Sequence, residues 1–137
     1  MHGDLVMRGI EVAPQLAAAL PQVQGDRVEL QQVLLNLVVN ACEAMIAGGP
    51  ERRHLGIRTA PDEGGVRLSV IDQGCGFPAE QYQKMFQAFY TTKPQGLGLG
   101  LSISRSIVLA HRGRLWGDSI PGRGASFHIF LPARPQE

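Results

Sequence analysis

The chain has 137 residues, 44% of them hydrophobic and 18% charged, which is enough apolar mass for one globular domain with a real core and excludes a disordered tail. Thirteen basic residues against twelve acidic ones leave a formal charge of +1, which argues against a nucleic-acid binder working through a strongly basic face but leaves a small phosphorylated ligand open. The longest uncharged stretch, residues 12–25, is interrupted by Pro14 and Pro21, so no segment is expected to enter a membrane. No secretion signal opens the chain. Cys42 and Cys75 belong to no CxxC or Cys/His cluster, which argues against a disulfide framework or zinc site, and the expected compartment is reducing and cytoplasmic.

In chain order, residues 5–12 (LVMRGIEV) alternate in the manner of a strand, which Pro14 should end. After an irregular connection, Leu30, Val33, Leu34, Leu37, Val38, Ala41 and Met45 recur every three or four residues. With Asp26 as N-cap and Glu29 three residues later, this predicts a long amphipathic helix over 26–45, closed by Gly48, Gly49 and Pro50. Residues 54–60 and 66–72 alternate around Asp62-Glu63-Gly64-Gly65 and predict a β-hairpin. Residues 74–100, rich in glycine and proline, predict a long loop with one short helix over 79–86. Helical spacing returns over 101–111 and stops at Gly113, and strands are predicted at 114–116 and 125–131. The order suggests an α+β two-layer sandwich: one mixed, mostly antiparallel sheet with helices on a single face.

Three constellations carry chemistry. At about 100° per residue, Asn36, Asn40 and Glu43 share a polar strip beside the apolar face of the long helix, with Asn40 at the lip of the core. An amide carbonyl there suits Mg²⁺ when phosphate and water supply the other ligands; solvated helix polars are the bland alternative. Asp72-Gln73-Gly74-Cys75-Gly76 ends the hairpin with a carboxylate at the core's edge, able to accept a proton from an exocyclic amine such as that of adenine, or simply a turn after a strand. Gly74 and Gly76 would turn the chain away without blocking a pocket. Gly96, Gly98 and Gly100 run into the second helix, where free N–H groups and the positive dipole end favour phosphate, with Lys93 adding charge; a flexible hinge is the alternative.

The ordered set NxxxN, DxGxG, GxGxG resembles the GHKL family of ATP-binding domains, with the Bergerat-type fold. Asn36–Ala41 looks like its N box, Asp72–Gly76 its first glycine box, Phe86–Phe89 its F box and Gly96–Gly100 its second glycine box. Within it, QQVLLNLVVNACEAM, FYTTK and GLGLGLSISRSIVLAHRG are similar to the catalytic, ATP-binding domain of two-component sensor histidine kinases. The resemblance implies one domain over 1–137, with its core at about 25–132 and an ATP lid at about 78–100, excised from a longer kinase. It implies Mg²⁺ at Asn40 with Asn36 nearby, and adenine at Asp72 bordered by Gly74 and Gly76. Phosphates would meet Lys93, Gly96, Gly98, Gly100 and the amides of Leu101 and Ser102, with Phe86 and Phe89 anchoring the lid. The chain departs from the pattern at Ala44, where an aromatic is frequent, at Ala125, where Thr is common and Ser126 could stand in, and at Arg112, where Gly is frequent.

Hydrolysing relatives place a Glu one turn before the metal Asn; here the residue is Asn36, and an amide is no general base. The implied reaction is therefore phosphoryl transfer to an outside acceptor. His2, His54, His111 and His128 are followed by Gly3, Leu55, Arg112 and Ile129, so none fits the phosphoacceptor pattern of His followed by an acidic residue. His111 is read as a favourable contact with its helix's C-terminal dipole, and His128 as a surface residue. The acceptor is expected on an upstream histidine phosphoacceptor and dimerisation domain, with a response regulator receiver domain downstream in the relay. A regulatory ATP-binding module without transfer, and an anti-sigma-like serine kinase, are the alternatives.

Overall fold

The computed structural model describes residues 10–48, 53–87, 100–120 and 122–134. Lys93, Gly96, Gly98 and Phe89, together with most of the expected lid, lie outside them, as do residues 5–9 of the expected first strand.

Among the described residues the elements are β1 (Glu11–Gln15), α1 (Arg27–Gly48), β2 (His54–Asp62), β3 (Gly65–Ile71), α2 (Gly100–Ala110), β4 (Arg114–Ile120) and β5 (Gly124–Pro132). They form a five-stranded sheet in the order β1-β2-β3-β5-β4, with β1 parallel to β2 and the other pairs antiparallel. The mixed, mostly antiparallel α+β architecture is the expected one.

Side-chain alternation explains the two layers. Val70 of β3 and Ala125, Phe127 and Ile129 of β5 point to one face and are buried with Val33, Leu37, Val38 and Met45 of α1 and Val108 of α2. Arg67 and Ser69 of β3, His128 and Phe130 of β5, and Trp116 of β4 therefore occupy the other face. There Trp116 stacks on His128 at 5.3 Å, and the guanidinium groups of Arg67 and Arg114 lie 5.9 and 5.6 Å from the Trp116 ring. His128 is half-buried rather than a plain surface residue: Nδ1 is 2.7 Å from Ser69 Oγ, and Nε2 is 3.2 Å from Asp118 Oδ2.

Local signals placed most elements. Asp26 caps α1, its Oδ1 accepting the Glu29 N–H at 3.0 Å. The β2–β3 hairpin turns at Gly64, which takes φ +79°. Next to it, Arg67 and the Glu63 N–H donate to Asp62 and hold its carboxyl below the usual range.

Other expectations need correction. Among the described residues the first strand runs through Pro14 to Gln15 instead of ending before it, because β1 lies at the edge of the described sheet, where a residue without an N–H is tolerated. The helix expected over 79–86 is two 3-10 turns, Ala79–Gln81 and Lys84–Phe86. Between them Tyr82 is held by Phe77 (5.8 Å) and Phe86 (5.4 Å), and its hydroxyl accepts the Gly117 N–H at 3.1 Å. Finally, β4 runs on to Ile120, with Gly117 leaving room for the Phe127 ring, which an added Cβ would meet at 2.7 Å.

Candidate functional site

The site is built where β3 ends beside β5. Asp72 follows the last β3 residue, its N–H donating to the Ala125 carbonyl at 2.8 Å. Its side chain is only 4% exposed, and Oδ1 accepts the N–H groups of Gly74 (2.8 Å) and Ala125 (3.2 Å). Two backbone donors thus fix the direction of the carboxyl group. With Ser126, Ala125, Asp118 and Arg123, Asp72 lines a cavity of ≈ 270 Å³. Strand alternation sets Ser126 on the sheet face opposite Ala125 and Phe127, so its hydroxyl does not replace one at position 125.

Gly74 and Gly76 serve a purpose beyond clearing a pocket. A Cβ on Gly74 would meet the Ala44 backbone at 2.6 Å, so the turn after Asp72 lies directly on α1. Gly76 takes φ +71°, and a Cβ there would meet Ser119 Oγ at 2.6 Å. The space each side chain would fill already holds protein. The small residue at Ala44 fits the same contact, since its Cβ would lie 2.8 Å from a Cβ on Gly74 and the glycine turn covers this helix position.

The polar strip of α1 divides. Asn40 is half-buried one turn before Ala44, on the stretch of helix that meets Gly74. Asn36, one turn earlier, faces α2: Nδ2 donates to the Gly100 carbonyl (3.3 Å) and Ser104 Oγ (3.2 Å), while Oδ1 accepts from Gln32 Nε2 (2.7 Å). Gly100 is the first described residue of α2, and among the described residues a Cβ there would have nothing within 4 Å. Leu101 packs on the core, Ser102 is half-buried, and Phe86 is buried. Asp72 and Ser126 therefore share one cavity, whereas Asn36, Gly100 and Ser104 form a hydrogen-bonded cluster between the helices.

Ser104 was not legible as a site residue. It is fully buried, and its only sequence signal is a small polar residue four before Val108 on the helix's buried face. Asp118 and Arg123 line the cavity but carry no sequence signal, because an outward strand residue and a turn residue look like ordinary solvated polars.

Comparison with known proteins decides the family. Residues 25–135 match the family described as "Histidine kinase-, DNA gyrase B-, and HSP90-like ATPase". The chain belongs to that family. Within it, the chain is 46% identical over 112 residues to the sensor protein FixL of Bradyrhizobium diazoefficiens, covering 81% of this chain and 22% of FixL. It is 38% identical over 132 residues to the signal transduction histidine-protein kinase AtoS of Escherichia coli K12, covering 96% of this chain and 21% of AtoS. Among solved structures, the nucleotide-free catalytic domain of histidine kinase ThkA aligns with TM-score 0.82 and 34% identity, covering 96% of this chain and 84% of that one. Full-length ShkA in complex with AMPPNP aligns with TM-score 0.81 and 31% identity, covering 97% of this chain and 28% of that one. This is a histidine kinase ATPase domain, spanning about a fifth of the length of FixL and AtoS. None of its described helices is long and apolar enough to cross a membrane.

Proposed function

We propose that this domain binds Mg²⁺-ATP and donates the γ-phosphoryl group to a histidine on a separate upstream phosphoacceptor and dimerisation domain, from which a response regulator receiver domain takes it. The observation that carries the reading is Asp72, a nearly buried carboxylate at the end of β3 held by two backbone N–H groups. A carboxylate accepts and does not donate, so it selects a ligand that offers an N–H, as the exocyclic amine of adenine does.

The residues present fit the metal as well. Asn40 is a neutral, hard oxygen donor on the stretch of α1 that touches the Asp72 turn through Ala44 and Gly74. It would hold Mg²⁺, with phosphate and water oxygens completing the shell. The ion, when bound, neutralises phosphate charge. Lys93, Gly96, Gly98 and Gly100, with the amides of Leu101 and Ser102 at the N-terminus of α2, would meet the phosphates. Because position 36 carries an amide, this chain lacks the base that hydrolysing relatives place there, and water is a poor acceptor. Phosphoryl transfer depends on positioning and charge, so a partner's imidazole can supply the nucleophile while this domain supplies the rest.

The test is incubation with γ-labelled ATP and a separately purified phosphoacceptor domain from the same kinase. Label should appear on that domain's histidine with the native chain. Asp72→Asn, which can present a donor to the adenine amine, should bind ATP more weakly by about 1–3 kcal/mol and transfer less at limiting ATP. ATP binding without any transferred label would overturn the kinase reading in favour of a regulatory nucleotide-binding module, and unchanged affinity in Asp72→Asn would remove Asp72 from the base contact.

A further inference from the structure

Asn36 sits at the position where its family's hydrolases carry their base, and the sequence groups it with Asn40. Its bonds lead elsewhere. The Nδ2 group donates to the carbonyl of Gly100, the residue that opens α2, and to the hydroxyl of Ser104, one turn further on. Gln32 Nε2 donates to Oδ1 at 2.7 Å and so turns Nδ2 toward α2. Ser104 is fully buried, so this polar contact lies where water cannot replace it at the hydroxyl end. Leu101 and Ser102 lie between the two anchor points.

We propose that Asn36 and Ser104 form a latch that sets the first turn of α2 against α1, making Asn36 a positioning residue for the phosphate-binding amides rather than a ligand of the metal. The inference rests on the nucleotide reading for its consequence but not for its geometry. Asn40 lies one turn along α1 from Asn36, so the latch fixes the distance between the metal donor and the helix end that would meet the phosphates. Neither bond at 3.2–3.3 Å is strong alone. Their effect comes from acting on two successive turns of one helix end.

The experiment combines hydrogen exchange on the nucleotide-free domain with ATP titrations in the presence and absence of Mg²⁺. Asn36→Ala and Ser104→Ala should each speed exchange of amides 104–106, the first that bond back to carbonyls of the opening turn, by about tenfold, a local opening that leaves the sheet amides protected. Each should weaken ATP binding by about five- to tenfold, equally with and without Mg²⁺, and the double variant should add little to either single one. Asn36→Asp separates the two roles at nearly constant volume. It removes the donor to Gly100 while adding charge, so the latch predicts weaker ATP binding, whereas a metal ligand would bind Mg²⁺-ATP more tightly. A loss confined to Mg²⁺ conditions in Asn36→Ala, with Ser104→Ala neutral, would overturn the proposal. If the native chain did not bind ATP, the nucleotide reading would fail, yet the exchange data would still decide whether the latch exists.

Discussion

The two ends of α2 are held by different means. At the C-terminus, Gly113 N–H donates to Val108 O at 2.9 Å and Arg112 N–H to Leu109 O at 3.0 Å, the paired closure of a Schellman motif. Arg112 takes φ +63° to make it. His111 adds a cross-link: its Nδ1 lies 2.8 Å from Ile107 O, and its Nε2 accepts the Asp26 N–H at 2.9 Å. One ring therefore ties the last turn of α2 to the start of α1. Gly25 gives it room, since a Cβ there would meet the ring at 2.6 Å. The N-terminus has the side-chain bonds of Asn36 and open space at Gly100. Among the described residues, the C-terminal end is closed by backbone and side-chain bonds, while nothing lies within 4 Å of a Cβ added at Gly100.

The contrast can be broken most forcefully at Gly113. An added Cβ would run into the Phe130 carbonyl oxygen and come within 3.0 Å of Val108 Cγ1, and neither backbone nor buried valine can give way cheaply. Gly113→Ala should lower unfolding stability by about 3 kcal/mol, measured by urea titration. A loss below about 1 kcal/mol would mean that β5 shifts freely against the helix end. Arg112 sharpens the same end with the opposite sign. A side chain in the left-handed region costs about 1–2 kcal/mol, and glycine removes that cost less the entropy it gains when unfolded. Arg112→Gly should therefore raise stability by roughly 0.5–1 kcal/mol, and a destabilised variant would show that the arginine side chain makes a contact worth more than the strain.

How far the sequence foretold this depends on whether a feature is local. The α1 period, the Asp26 cap and the Gly64 turn are encoded within a few residues, and each appears as read. The run of β4 past Trp116 is not visible in the sequence, because what Gly117 makes room for, the Phe127 ring, is on another strand. Pro14 misreads as a terminator because edge position is a property of the sheet. Asp72 was legible, since a carboxylate ending an apolar run has to lie at the core's edge. The division of labour between Asn36 and Asn40 was not, because helical spacing places both on one strip and only the packing of α2 distinguishes them. Arg112 was recognisable as a departure, but its reason is a backbone angle that no side-chain pattern records.

The smallest expected effect on folding tests the open end most cleanly. Gly100 lies outside the left-handed region, and nothing would meet its Cβ within 4 Å. Alanine is the better helix former, so Gly100→Ala should leave stability unchanged or raise it by up to about 0.5 kcal/mol in the first turn. A fall in ATP affinity then points to the ligand's approach, because no described residue stands in the way of the methyl group. Weaker ATP binding at undiminished melting temperature would place Gly100 at the phosphates. Undiminished binding would show that the glycine is spare there and that the approach is made further along, at the amides of Leu101 and Ser102.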